Sequence, residues 1–172
     1  MSLTQLRNLG IVANAGIATT KLGEGAVLQI VQGTHSTEVT TTSTSYVTTN
    51  LSASITPSSA SNKILIIAST PADMGTLASN GGVYGTNNGG DFTIYRDSTA
   101  LLSRAGDTFY TNGGLNIATT ISMNVLDSPS TTSSTTYSIY MKTRGGSPTP
   151  TVKAQHNGSE GSIILMEIKA WL

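Results

Sequence analysis

Hydrophobic and polar residues alternate through much of this chain, most clearly from Leu115 to Arg144. Leu115, Ile117, Thr119, Ile121, Met123 and Val125 occupy every second position, and Tyr137, Ile139 and Met141 resume the pattern further on. Between them runs Asp127 to Thr136, polar throughout, with one Pro and no large apolar residue. Period-two patterning on both sides of a breaker predicts two half-buried antiparallel strands joined as a long hairpin.

Shorter copies of the pattern fill the rest. Val27 to Val31 predicts a short buried strand, and Leu51, Ala53 and Ile55 mark an alternating one. Pro57 to Asn62 has turn chemistry. Lys63 to Ala68 is apolar on both faces, which predicts a central strand covered on both sides. From Pro71 to Gly90 the pattern lapses into Gly and Asn, predicting a long loop. Asp91 to Tyr95 and Thr99 to Leu102 flank Arg96-Asp97-Ser98 as a hairpin. Thr151 to His156 and the first half of Ser162 to Leu172 supply the last strands. Eight to ten strands at these spacings predict an all-β fold: a two-sheet antiparallel β-sandwich of jelly-roll type over residues 26–172.

Residues 1–25 differ from the sandwich. Ser2-Leu-Thr-Gln5 fits a capping box, Leu3, Leu6 and Leu9 recur every third position, and Gly10 can close the turn, so a two-turn helix is expected. A helix that short is unstable alone in water and must bury its leucines. With Ile11 and Val12 following, and Gly23-Glu-Gly25 as a hinge, the segment reads as a short helix and extended arm that anchors to a partner.

Composition sharpens this picture. Nine basic and nine acidic residues cancel, and charged residues make up only 10% of the chain, against about 25% in ordinary soluble domains. No cluster of Lys and Arg is present to displace counterions, so nucleic acid is not an expected partner. So few charges leave a solitary chain poorly protected from association, which points to work inside an assembly. Polarity comes instead from Thr and Ser, about 29% of the residues, of which β-branched Thr suits the outer face of a pleated sheet. With no cysteine, neither disulfides nor thiolate metal sites arise. No run of 18 apolar residues indicates membrane insertion.

No constellation announces catalysis. His35 and His156 are the only histidines, and neither has a ligand-type residue at i+2 or i+4, so no metal site is expected. There is no Gly-x-Ser-x-Gly elbow. Asp73, Asp91, Asp97, Asp107 and Asp127 stand at strand ends or turns, where Asx hydrogen bonding accounts for them. The loop up to Gly90 lacks the Lys-Ser/Thr of a phosphate cradle. It reads either as a recognition loop, with Asn80, Tyr84, Asn87 and Asn88 as contact residues, or as filler between subunits. Trp171 and Leu172 are costly to expose and form a candidate subunit contact. No catalytic residue and no cofactor is expected.

Several segments resemble a known family. Ala26-Val-Leu-Gln-Ile-Val-Gln32, Leu51-Ser-Ala-Ser-Ile-Thr-Pro-Ser-Ser-Ala-Ser-Asn-Lys-Ile-Leu-Ile66, Thr93-Ile-Tyr-Arg-Asp97, Leu126-Asp-Ser-Pro129 with Thr136-Tyr137, and Leu165-Met-Glu-Ile168 occur in order. Together they resemble a β-sandwich module of tailed-bacteriophage, especially marine-phage, virion proteins of tail-fibre type. The resemblance implies a homotrimeric, non-enzymatic component displayed on the particle surface, and it supplies no catalytic residues. Such modules usually follow a long shaft, whereas 25 residues precede this one. The expectation is therefore a short fibre or tip held to tail, portal-vertex or capsid proteins by residues 1–25 and facing a host-surface glycan. The alternatives are a capsid decoration protein and, outside virions, a carbohydrate-binding module.

Overall fold

Alternation along each strand produces two apolar sheet faces, and these pack on each other. The computed structural model describes residues 22–75, 88–102, 109–111, 117–145 and 149–170. Within them lie β1 (Val27–His35), β2 (Val39–Thr41), β3 (Val47–Ile55), β4 (Lys63–Gly75), β5 (Asn88–Arg96), β6 (Thr99–Ala100), β7 (Phe109–Thr111), β8 (Ile117–Asp127), β9 (Thr135–Thr143), β10 (Thr151–Ala154) and β11 (Gly161–Ile168). All ladders are antiparallel.

Eleven segments make eight long strands. β10 and β11 lie end to end along β4, against 72–75 and 63–69. β1 and β2 lie end to end along β11 and β10, and β6 and β7 along β5. Counted so, one sheet reads first, eighth, third, sixth, and the other second, seventh, fourth, fifth. That order, two interlocked Greek keys, is the jelly roll.

The core lies between the sheets. β4 turns Ile64, Ile66, Ala68, Ala72 and Met74 inward, and β11 adds Ile163 and Leu165. From the facing sheet come Leu51 and Ile55 of β3, Phe92 and Ile94 of β5, and Tyr137, Ile139 and Met141 of β9. Each large aliphatic chain hidden this way contributes about 1.5–3 kcal/mol. The sheets approach closely at Gly33, where a Cβ would stand 2.1 Å from the Ser52 carbonyl oxygen.

One level of the first sheet is broken. Residues 36–38 and 155–160 leave the ladder together, with Gln155 and Asn157 left-handed at φ 52° and 56°. The buried Gln155 amide donates to Thr70 Oγ1 (3.1 Å). Outside, Glu38 accepts from the Asn157 amide at 2.9 Å and faces Lys153 and His156. The Asn157 bond, followed by the Lys153 charge, holds the Glu38 carboxyl below its usual range.

The sandwich and its jelly-roll order agree with the sequence reading, and so does the β5–β6 hairpin. Its two-residue turn is Asp97-Ser98, where Asp97 Oδ1 accepts from the Thr136 amide (3.0 Å). Four expectations are corrected. β8 and β9 do not form a hairpin: β8 pairs with β4 and β9 with β3 and β5, so residues 128–134 cross from one sheet to the other. β4 runs on to Gly75 rather than ending before Pro71, which pairs with Thr120 while Ala72 and Met74 stay buried. β1 is an edge strand with Val27 and Ile30 exposed, not a buried one. β4 is central but covered on one face only, because Ile67 is 42% exposed.

Candidate functional site

The outer face of the β1–β11–β4–β8 sheet is built from the side chains that alternation turns away from the core. Register aligns them in rows. Ile30, Met166, Leu65 and Leu126 stand side by side across the four strands, and Gln32, Ile164, Ile67 and Asn124 form the next row. Thr34, Ser162, Ser69 and Ser122 form a third. Val27 and Ile168 border the first row on its other side. Ile30 is 61% exposed, Leu126 54% and Val27 46%. With Ile67 these are the exposed large hydrophobics among the described residues, and all lie on this one face. Not one of the twelve positions in the three rows is ionisable.

Under the Ile30 row, the same end of the sandwich is closed by buried polar groups. Glu167, 0% exposed, accepts from Gln29 Nε2 (2.6 Å), Asn62 Nδ2 (2.6 Å), and the Ser58 amide and hydroxyl (2.7 Å each). Asn62 in turn accepts from the Ala170 amide at 3.1 Å. Burial pushes the Glu167 carboxyl up, but the Asn62, Gln29 and Ser58 bonds outweigh it and leave it below the ordinary range. Such multiple donation to one carboxylate stabilises the ionised form. Nearby, Arg96 Nη1 meets both Asp127 oxygens at 2.9 Å, and the buried Tyr137 hydroxyl donates to Asp127 Oδ2 (2.8 Å). Burial first, and then the Asp127 bond, raise the Tyr137 pKa far above its usual value. These contacts tie β5 and β9 to β8 across the sandwich. Tyr137→Phe is expected to lower stability by about 1–2 kcal/mol, read from urea unfolding of the full chain; an unchanged midpoint would remove the Tyr137 hydroxyl from the inter-sheet tie.

The second sheet presents a different outer face. Tyr95 and Tyr140 pack at 4.2 Å between ring centroids, Tyr46 meets Tyr95 edge-on at 6.1 Å, and Lys142 sits 4.8 Å over Tyr46. Lys142 also pairs with Asp91 (3.5 Å). Around them β3 and β9 place Thr48, Ser52, Ser54, Thr136 and Ser138. This face is polar, aromatic and charged where the first is uncharged, with its apolar side chains set beside a row of hydroxyls.

No protein-family model and no curated protein matches this chain.

Many of the residues singled out from sequence fall outside the described residues: Leu3, Leu6, Leu9, Ile11 and Val12 of the arm, Asn80, Tyr84 and Asn87 of the loop, and Trp171 and Leu172. Asn88 opens β5 and pairs through its backbone with Thr111. His35 ends β1 opposite Gly161, and His156 faces Glu38 at 3.3 Å. Among the described residues no group of three or more His, Asp or Glu is placed to hold a metal ion. Sequence reasoning missed the apolar rows themselves. Their signal is present in Ile64-Leu-Ile-Ile67 and Ile163-Ile-Leu-Met166, runs apolar on both faces, the first of which reads from sequence as a strand covered on both sides.

Proposed function

We propose that this chain is a non-enzymatic structural subunit of a bacteriophage particle. It assembles as a homotrimer, is anchored by residues 1–25 to a tail, portal-vertex or capsid protein, and displays its jelly roll on the virion surface in a tail-fibre-like, host-facing role. One observation carries the reading: an uncharged sheet face on which a lone chain leaves Val27, Ile30, Ile67 and Leu126 in water. Monomers rarely expose more than a few hundred Å² of such surface, and larger patches mark association sites. The low charge content and the virion-module resemblance support the same reading. Tyr46, Tyr95 and Tyr140, set among hydroxyls on the opposite sheet, support a glycan at the host-facing side, because aromatic faces combine apolar area with polar neighbours.

Removing residues 1–25 is the direct test. The shortened chain is expected to remain a soluble trimer and to fail to join particles when supplied in place of the full chain. Loss of trimerisation instead would contradict the anchoring role of that segment. Capsid decoration is the second reading, favoured by the same interface-forming face. Copies per particle separate the two: hundreds mean decoration, a few dozen or fewer a fibre. Glycan-array binding by the full chain would favour the host-facing role or a carbohydrate-binding module.

A further inference from the structure

We infer that the outer face of the β1–β11–β4–β8 sheet is where copies of this chain meet, with Ile30, Leu65, Ile67, Leu126, Ile164 and Met166 at the centre of the contact. The inference rests on the trimeric reading above and assigns it a surface. Charge is the first argument for a second copy as the occupant. Across three rows and four strands no side chain is ionisable, so a like face can approach with no charge opposed or stripped of water. The ionisable groups of the outer surface lie at its ends, Lys63 beside Ile168 and Lys153 with Glu38 and His156, or on the other sheet.

Size is the second argument. Four strands about 4.8 Å apart and three rows about 6.6 Å apart give a projected face of roughly 400 Å². That is about half of the roughly 800 Å² that each partner of a standard interface buries, so the face can supply the centre of such a contact.

Native mass spectrometry and sedimentation of the full chain test this. The unaltered chain is expected to run as three copies, and the double variant Ile30→Asp, Leu126→Asp as one, since each carboxylate would be buried without a partner. Both positions are more than half exposed in the single chain, so its circular dichroism and urea midpoint serve as folding controls. Ser138→Lys, on the opposite sheet, should leave the trimer intact. A second readout does not depend on a disruptive change: in this cysteine-free chain, Leu126→Cys should react with a maleimide about tenfold more slowly than Ser138→Cys. A trimeric chain in which the Asp pair also runs as three, or in which both thiols react alike, overturns the assignment of this face while the trimeric reading stands. An unaltered chain that runs as a monomer overturns both.

Discussion

Glu167→Ala is expected to destabilise the full chain by about 3 kcal/mol, because Ser58, the half-buried Gln29 and the buried Asn62 lose their shared acceptor at once. Ser58 and Asn62 belong to the β3–β4 turn, and Gln29 to β1; the Glu167 carboxylate joins all three to β11. Its loss frees the turn, strands the Asn62 and Ser58 donors, and opens the end of the sandwich beneath the Ile30 row. Urea unfolding should show the fall in midpoint. Glu167→Gln keeps the shape but turns an amide NH₂ towards donors, so it should recover only part of the loss.

The same carboxylate sets an acid limit. Its folded pKa is depressed, and the unfolded value is about 4.3. Protons then bind the unfolded chain more readily than the folded one, so stability rises with pH across that interval. The contribution is complete above the unfolded pKa and is lost as pH falls through the folded one. Urea midpoints should therefore decline from the ordinary glutamate range downward, and the decline should be shallower in Glu167→Gln. Parallel profiles for the two proteins would show that the carboxylate is not bonded as described.

Gly33→Ala is expected to cost about 2–3 kcal/mol or to abolish soluble expression, an effect of overpacking and not of lost contact. The added Cβ meets the Ser52 carbonyl oxygen at 2.1 Å, its carbon at 3.0 Å and Ala53 Cβ at 3.2 Å. Two of these three atoms are backbone, so no rotamer change relieves the clash, and β1 and β3 must separate along the closed edge of the sandwich. Ser52→Ala, whose exposed side chain faces outward on the opposite sheet, should stay within about 0.5 kcal/mol of the parent. Equal behaviour of the two variants would show that the sheets do not approach as closely as described.

The strand faces were legible because a period of two needs only neighbouring residues to be read. Tyr137, Ile139 and Met141 alternate in sequence and are all buried, as are Leu51 and Ile55. The neighbours of each strand were not legible. Leu115 to Arg144 looks like a hairpin because two alternating strands flank a polar link, yet a link that crosses between sheets has the same composition. Nor was the polar closure visible: Ser58 and Glu167 are separated by 109 positions, and nothing local marks a Glu in an apolar strand as the acceptor of a distant turn. The apolar outer face was half legible, since the doubly apolar runs in β4 and β11 are plain.

What the sequence alone determined is the alternation, hence the all-β class, the inward set of side chains and the scarcity of charge. Tertiary structure decided which strands are neighbours, that Asn62, Ser58 and Gln29 converge on Glu167, and that the second apolar face of β4 and β11 aligns with Ile30 and Leu126 on the outside. Alternation fixes only the side of a sheet on which a residue lies. Pairing depends on contacts between distant segments, whose free energy is gained only once the whole sandwich has closed.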